Sequence, residues 1–142
     1  MDNHLPGGHL NDRETISRLL TTPARWAVVG LSNNPHRVAI GVASFLQQSL
    51  GMSIIPVSLK GDDVHGEKGY RKLADVPGQI DVVDCFVNSQ KVGAVVDEAI
   101  AVGARAVWLQ LGVVDEAAAA RAKAAGLEVV MDTCPMIEYP LL

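Results

Sequence analysis

The chain has 142 residues, of which 49% are hydrophobic and 20% are charged, and this fits one globular domain rather than two domains or a disordered chain. A formal net charge of -4 argues against nucleic acid as the main partner, because binding a phosphate backbone requires a basic surface. No apolar segment approaches membrane-spanning length and the N-terminus lacks a signal pattern, so we expect a cytosolic protein without membrane association.

The N-terminal segment leads into the first strand. Residues 1–10 contain two glycines, a proline and two histidines without periodicity, which predicts a loose arm. Asn11 to Glu14 resemble a helix-capping arrangement, and the apolar residues after them predict a short helix ending near Pro23. The valine-rich run Trp26 to Val29 is typical of a fully buried strand of a parallel sheet.

A glycine turn follows this strand. Gly30 ends the apolar run, Ser32 to Pro35 predict a turn, and an amphipathic helix is expected from Arg37 to Leu50. Its predicted apolar stripe consists of Val38, Val42, Phe45, Leu46 and Ser49. A strand, a glycine turn and a helix start favour phosphate binding, because free backbone N–H groups attract anions. The dinucleotide motif G-x-G-x-x-G is absent, since Ser32 and Pro35 stand where its later glycines would be.

Strands and helices alternate along the rest of the chain. Four more apolar runs predict strands, at 53–57, 81–87, 104–109 and 127–131. Between the last three runs lie two predicted helices, one capped by Ser89 and ending at Gly103, the other capped by Asp115 and ending at Gly126. This alternation predicts an α/β fold, a Rossmann-like doubly wound parallel sheet of five strands in one domain over residues 1–142.

The loops at the carboxyl ends of the strands are the expected ligand site. In doubly wound sheets ligands bind where the strand order reverses. A reversal beside strand one would place its loop opposite the loop after strand four. The site would then draw on four loops, Gly30 to Arg37, Val57 to Lys60, Val87 to Ser89 and Gln110 to Gly112.

The end of strand two discriminates between nucleotides. An NAD-binding unit usually has an acidic residue there, whereas this chain has Ser58, Leu59 and Lys60. A cation favours a phosphorylated ribose, as in NADP or coenzyme A, although a solvated surface lysine explains Lys60 equally well. Asp62 and Asp63 follow closely and could still reach a ribose, so NAD remains open.

Catalytic and metal sites are not indicated. Cys134 has no base that the sequence reveals, Cys85 is expected in the core, and His36 is expected to face solvent. The histidines do not cluster with the two cysteines, so we expect no zinc site.

Several short stretches together carry a family likeness. They are Val29–Ser32 with Pro35 and Arg37, Ile55–Val57, Gly66–Glu67 with Tyr70, Ala74–Pro77, Asp81–Asp84, Glu98–Ile100 with Gly103–Ala104, Val107–Val113 and Val130–Asp132 with Cys134. With these stretches the chain resembles the single-domain CoA-binding proteins of the YccU-like type from about Ala24 to Glu138. The run Trp108 to Val113 is the most distinctive.

The resemblance implies a Rossmann-like fold shared with the CoA-binding domain of the succinyl-CoA synthetase α subunit. Together with the β-α alternation it predicts the strand order 3-2-1-4-5, with strand one central. Cys85 would then lie on an edge strand, too far from Cys134 for a disulfide.

The resemblance also implies a site for coenzyme A or an acyl-CoA. Its residues would be Ser32, Asn33, Asn34 and Arg37 at the pyrophosphate, Lys60 at the 3′-phosphate, Asn88 at the nucleotide or pantetheine arm, Gln110 and Gly112 at the thiol end, and Gly30, Leu31, Val57 and Val87 in the lining. Thr133 to Pro135 are similar to the Asn-Cys-Pro of the synthetase.

The chain differs from the small relatives at two places, and it lacks the second domain of the synthetase. Small relatives commonly have Val-Asn-Pro at Val57 to Leu59 and arginines near Val87 and Asn88, so we expect a weaker grip on phosphate. The phosphorylated histidine of the synthetase belongs to a second domain, so ligase activity should be absent. We therefore expect a stand-alone CoA or acyl-CoA binding protein without catalysis of its own. The alternatives are an NAD(P)-binding enzyme or nucleotide-sensing module on this fold, and a subunit that completes the acyl-CoA site of a partner protein.

Overall fold

A computed structural model describes residues 8–142 and contains a five-stranded parallel sheet with helices on both faces. The strands are β1 (Arg25–Val29), β2 (Ser53–Val57), β3 (Val82–Cys85), β4 (Ala106–Leu109) and β5 (Glu128–Val130). The helices are α1 (Arg13–Thr21), α2 (Val38–Ser44), α3 (Val92–Ala101), α4 (Glu116–Ala124) and α5 (Pro135–Glu138), with a π-helical turn at Phe45–Ser49 and 3₁₀ turns at Leu73–Asp75 and Tyr139–Leu141. The predicted Rossmann-like α/β class is confirmed.

The strand order differs from the prediction. It is 2-1-3-4-5 rather than 3-2-1-4-5, because β3 pairs with both β1 and β4 while β2 lies at the edge. Every residue of β3 is buried, as expected for an interior strand covered on both faces. β2 contains Pro56, and the missing N–H of proline is tolerated on an edge strand. Cys85 therefore lies inside the sheet, and both cysteines are free thiols.

Two apolar layers sandwich the sheet. α1 and α2 cover one face, where the rings of Trp26 and Trp108 lie with their centroids 5.7 Å apart. α3, α4 and the segment 73–80 cover the other face, where alanines of α4 allow the helix to pack closely. Helices on both faces leave the carboxyl ends of the strands uncovered, and this positions the candidate site.

The first residues of the helices show which of the predicted N-caps are present in the structure. Asp115 caps α4 as predicted, and its side chain accepts a hydrogen bond from the N–H of Ala118. In α1 the cap is Asp12, which accepts from the N–H of Thr15 and lies one residue after Asn11, where the predicted capping arrangement begins. The prediction for Ser89 is wrong, because the side-chain oxygen Oδ1 of the neighbouring Asn88 accepts from the N–H groups of Gln90 and Lys91 just before α3. The Ser89 hydroxyl instead links to the loop after β4.

The buried stripe of α2 also differs from the prediction. Val38 is 73% exposed and Ser49 is exposed, although both were expected to face the core. The residues of this helix that pack on the sheet are Ala39, Val42, Ala43 and Leu46. The π-helical turn closes with the N–H of Leu50 donating to the carbonyl of Phe45, which shifts the last residues relative to regular helical spacing.

The predicted N-terminal arm is attached at its described end, while residues 1–7 lie outside the described residues. His9 is 4% exposed, and its N–H donates to Glu116 Oε1 over 2.8 Å. The side chain of Asn11 exchanges two hydrogen bonds with the backbone of Met131. Within residues 8–142, no helix has the length and apolar character needed to cross a membrane.

Asp84 is a buried acid in the interior strand β3. It lies between Val28 and Trp108 of the adjacent strands, and neither of its carboxyl oxygens has a hydrogen-bond partner among residues 8–142. Burial raises the pKa of Asp84 well above the ordinary value, because an apolar environment disfavours the charged form. The folded protein therefore keeps this carboxyl protonated at a pH where the unfolded chain has lost the proton.

This buried acid makes stability depend on pH. Between an unfolded-state pKa of about 3.9 and the raised pKa of the folded state, the native state holds up to one more proton than the unfolded state, so the free energy of unfolding falls as pH rises, by at most about 1.4 kcal/mol per unit. We expect Asp84→Asn to remove this contribution. Urea unfolding from about pH 4.5 upward measures it as a fall in the stability of wild type relative to the variant. The control Asp75→Asn, at an exposed carboxyl, should follow wild type, and parallel curves for wild type and Asp84→Asn would contradict the argument.

Candidate functional site

The candidate site lies where the strand order reverses. In the order 2-1-3-4-5 this point falls between β1 and β3, so the loops after these two strands diverge and open a crevice. The loop after β1 therefore faces the loop after β3, not the loop after β4 as predicted. Two adjoining cavities occupy the crevice, a larger one of about 1000 Å³ and a smaller one of about 580 Å³.

Gly30 brings the two loops together at the base of the crevice. Its φ is +97°, and a Cβ there would lie 2.6 Å from the carbonyl oxygen of Phe86. The N–H of Gly30 donates to Val57, and the N–H of Phe86 donates to Val29, each over 2.8 Å. Only glycine combines this backbone conformation with so close an approach. The Phe86 backbone therefore fills the space where a side chain at position 30 would begin, and glycine is what lets the two loops approach each other.

The larger cavity gathers most of the predicted residues. Those that border it are Gly30, Ser32, Asn33, Asn34, Arg37, Val57, Lys60, Val87 and Asn88. Leu31, also predicted, is fully buried in the layer between α2 and the sheet. The turn after β1 thus presents polar side chains to the cavity while its leucine anchors the turn in the core.

Arg71 and Lys91 also border the larger cavity, and sequence reasoning missed both. Arg71 reaches it because the loop after β2 folds back, so that Tyr70 exchanges backbone hydrogen bonds with Pro56 and Ser58. Gly69 permits this return, since a Cβ there would lie 1.9 Å from the carbonyl oxygen of Asp62. The glycines of this loop were the sequence signal that could have predicted its return toward β2.

Acidic groups reduce the positive charge of the larger cavity. Asp62 and Glu98 border it together with the four cations. The carboxylate of Asp62 accepts a hydrogen bond from the N–H of Asn33 over 3.1 Å. The N–H groups of His36 and Arg37 donate to the side chain and backbone of Asn34. Several backbone N–H groups that we expected to bind an anion therefore already donate hydrogen bonds to other residues of the chain.

The smaller cavity is mainly apolar and adjoins the larger one at Arg37, Phe86, Val87 and Asn88. The other residues that border it are His36, Val38, Ala39, Gln110, Leu111, Val113, Cys134 and Ile137. Gln110 was predicted in the site and is 5% exposed here. Gly112, also predicted, borders neither of these cavities, and its N–H donates to Asp132 Oδ1 over 2.8 Å.

This geometry suits an elongated ligand with two chemically different ends. The larger cavity offers amides, two hydroxyls and four cations, which are suitable partners for phosphate oxygens. The smaller cavity offers an apolar wall, one thiol, one imidazole and one buried amide. A ligand that bridged the two would pass Val87 and Asn88, where the cavities meet.

Comparison with known proteins agrees with this geometry. The family described as CoA binding domain matches residues 24–140. The chain is 36% identical over 124 residues to the protein YneT of Bacillus subtilis (strain 168), covering 87% of this chain and 91% of that protein. A hypothetical protein from Pyrococcus horikoshii OT3 has a solved structure that superposes with a TM-score of 0.86 at 35% identity, covering 100% of this chain and 99% of that one.

A shorter match concerns a larger enzyme. The chain is 32% identical over 60 residues to the acetate–CoA ligase (ADP-forming) II α subunit of Pyrococcus furiosus, which is 42% of this chain and 13% of that subunit. The match therefore covers one small part of the ligase subunit.

Gly30→Ala tests the packing of the crevice. We expect the variant to lose about 2 kcal/mol or more in the free energy of unfolding, because a positive φ and a backbone clash would both be imposed on alanine. Gly41→Ala in α2 is the matched control, since a Cβ there meets nothing within 4 Å and alanine favours a helix by about 1 kcal/mol. Urea unfolding should show opposite signs for the two variants. Equal stability of Gly30→Ala and wild type would contradict the described contact with Phe86.

Proposed function

Because this chain belongs to the CoA-binding domain family, we propose that it binds coenzyme A or an acyl-CoA and performs no catalytic turnover of its own. The observation that carries the proposal is the pair of adjoining cavities at the β1–β3 reversal, one cationic and polar, the other apolar. Coenzyme A has the same division, with phosphates at one end and a thiol-bearing arm at the other. The short match to a CoA ligase subunit supports the same ligand class.

The nucleotide end fits the larger cavity. We propose that the turn from Ser32 to Asn34 and the side chain of Arg37 hold the pyrophosphate next to Gly30, which borders the same cavity. The 3′-phosphate would then meet Lys60 and Arg71, which border the cavity on the side of β2. Arg71 and Lys91 border this cavity and supply positive charge in place of the arginines that small relatives commonly have near Val87 and Asn88.

The pantetheine arm fits the passage between the cavities. Asn88 borders both of them, and its carbonyl oxygen is occupied by the N–H groups of Gln90 and Lys91. Its amino group is the part that we assign to the ligand, as a donor to an amide carbonyl of the arm. Gln110 would line the thiol end in the smaller cavity. We propose no ligand contact for Leu31, which is buried, or for Gly112, whose N–H is bonded to Asp132.

An NAD(P)-binding enzyme or nucleotide-sensing module remains the second candidate function. Asp62 borders the larger cavity with Lys60, so a carboxylate is present that could hold a ribose diol. Tight binding of NAD with little affinity for CoA would favour this alternative.

Lys60 is expected to separate CoA from dephospho-CoA, which lacks the 3′-phosphate. A hydrogen bond to a charged group contributes about 1.5–3 kcal/mol, or about ten- to a hundredfold in binding, and solvent exposure favours the lower end. Calorimetry of wild type and Lys60→Ala with both ligands forms a double cycle. The variant should lose most of its preference for CoA and bind dephospho-CoA nearly as wild type does.

Two further variants sharpen this test. Lys72→Ala removes an exposed lysine that does not border the larger cavity, so it should keep the wild-type preference. Arg71→Ala should lower the preference as Lys60→Ala does, because both cations border the same side. A wild type that binds CoA and dephospho-CoA equally would refute the assignment of Lys60, and failure to bind either ligand would refute the proposed function.

We also expect no steady turnover. Pure protein incubated with ATP, CoA and acetate or succinate, or with an acyl-CoA alone, should give background rates of product formation. Chromatography of the nucleotides over many protein equivalents measures this directly. Sustained consumption of acyl-CoA that disappears in Cys134→Ala or His36→Ala would contradict a purely binding function.

A further inference from the structure

The smaller cavity contains a buried amide without a hydrogen bond at its oxygen. Gln110 is 5% exposed and borders the cavity, and its Oε1 has no partner among residues 8–142. Buried side-chain amides are nearly always hydrogen-bonded, so an unpaired one at a cavity wall points to a ligand. The terminal torsion of glutamine has two broad minima, which lets the amide turn either its oxygen or its amino group toward a bound molecule.

A thiol and an imidazole border the same cavity. Cys134 is 8% exposed, and His36 is exposed where the turn after β1 leads into α2. The remaining wall is formed by apolar side chains, among them Ala39, Leu111 and Val113. A carbonyl compound with an apolar substituent would therefore find a nucleophile, a base and an amide donor around it.

We infer that the smaller cavity exchanges acyl groups, so that Cys134 takes the acyl group of a bound acyl-CoA as a thioester. This inference rests on the proposed CoA binding, which delivers the thioester to the cavity. It concerns one exchange per chain, not turnover, and the acyl groups it favours are short and apolar.

The exchange needs no oxidant and no further reactant, because every proton and bond in it comes from the chain or from the acyl-CoA. The Cys134 thiol gives its proton to the His36 imidazole, and its sulfur forms a bond to the carbonyl carbon of the thioester. The amino group of Gln110 donates to the oxygen that becomes negatively charged, as in an oxyanion hole. The carbon–sulfur bond to CoA then breaks, and the CoA sulfur takes the proton from the imidazolium. One thioester replaces another, so the step is freely reversible.

Cys85 provides an internal comparison. Cys85 borders neither of the two cavities, because its side chain is buried in the layer on the α3–α4 face of the sheet. Cys134 belongs to the opposite layer. Burial also raises the pKa of the Cys85 thiol well above its ordinary value. Acylation of Cys85 is therefore not expected.

The experiment uses butyryl-CoA and the intact protein. Mass spectrometry should show one butyryl group per chain, peptide mapping should place it on Cys134, and added CoA should reverse it. S-butyryl-N-acetylcysteamine, which has the same thioester without the nucleotide, should react about a hundredfold more slowly at equal concentration, because nothing holds it in the site. Adenosine 3′,5′-bisphosphate should slow the reaction with butyryl-CoA.

Substitutions test the role of each residue in the exchange. Cys134→Ala should abolish the modification and Cys85→Ala should retain it. Gln110→Leu should slow the exchange at saturating butyryl-CoA about tenfold, the loss expected for one hydrogen bond of about 1.4 kcal/mol. His36→Gln should slow it about a hundredfold, as for loss of a general base.

The outcomes separate this inference from the proposed function. If calorimetry shows CoA binding but Cys134 stays unmodified, or if Cys85 is modified instead, the exchange is refuted and CoA binding stands. If the nucleotide-free thioester reacts as fast as butyryl-CoA, the modification is ordinary thiol reactivity and the inference is also refuted. If CoA does not bind at all, the proposed function itself fails.

Discussion

The parallel pairing of β1 with β3 is the constraint on which the rest of the structure depends. It places two strands that are distant in sequence side by side, so that the chain must reverse direction across the sheet at this point. The approach of Gly30 to the Phe86 carbonyl fixes the distance between the two loops that follow. The crevice, the two cavities and the division of the helices between the two faces all result from this one pairing. A side chain at position 30 would therefore disturb both the packing and the site.

The electrostatics of the crevice follow from its loops folding back on each other. Asp62 accepts the N–H of Asn33, so the turn after β1 already holds a carboxylate at the place that we propose for a phosphate. An anionic ligand must exchange for this carboxylate, and its net gain is the difference between two charged hydrogen bonds, not the whole of one. Lys60, Arg71 and Lys91 then decide the balance, because they border the same cavity and attract a ligand with more charge than a single carboxylate. Through this balance a chain with net charge -4 would hold the phosphorylated ligand that we propose.

Sequence reasoning succeeded where the signal is local and failed where it depends on pairing. The valine runs, the capping arrangement from Asn11 to Glu14 and the cap at Asp115 act within a few residues, and β1, β2, α1 and α4 were predicted from them. The strand order depends on contacts between distant segments, and it was wrong, although Pro56 should have indicated an edge strand. Arg71 was missed because its position depends on how the loop after β2 returns. The residues of the turn after β1 border the larger cavity because they immediately follow a strand end, which the sequence does reveal.

The position of Cys134 depends on three separate elements. The Nε1–H of Trp108 in β4 donates to the carbonyl of Thr133 over 2.9 Å, and the Thr133 hydroxyl donates to Glu138 of α5. Glu138 also forms an ion pair with Arg13 of α1. Trp108 of the sheet and Glu138 of the C-terminal helix therefore hold Thr133, the residue next to the cysteine, and Arg13 of the N-terminal helix holds Glu138. A thiol held in this way loses less conformational entropy when a ligand meets it than one on a free loop would. None of the residues of this network borders the larger cavity, so its hydrogen bonds do not depend on what occupies that cavity.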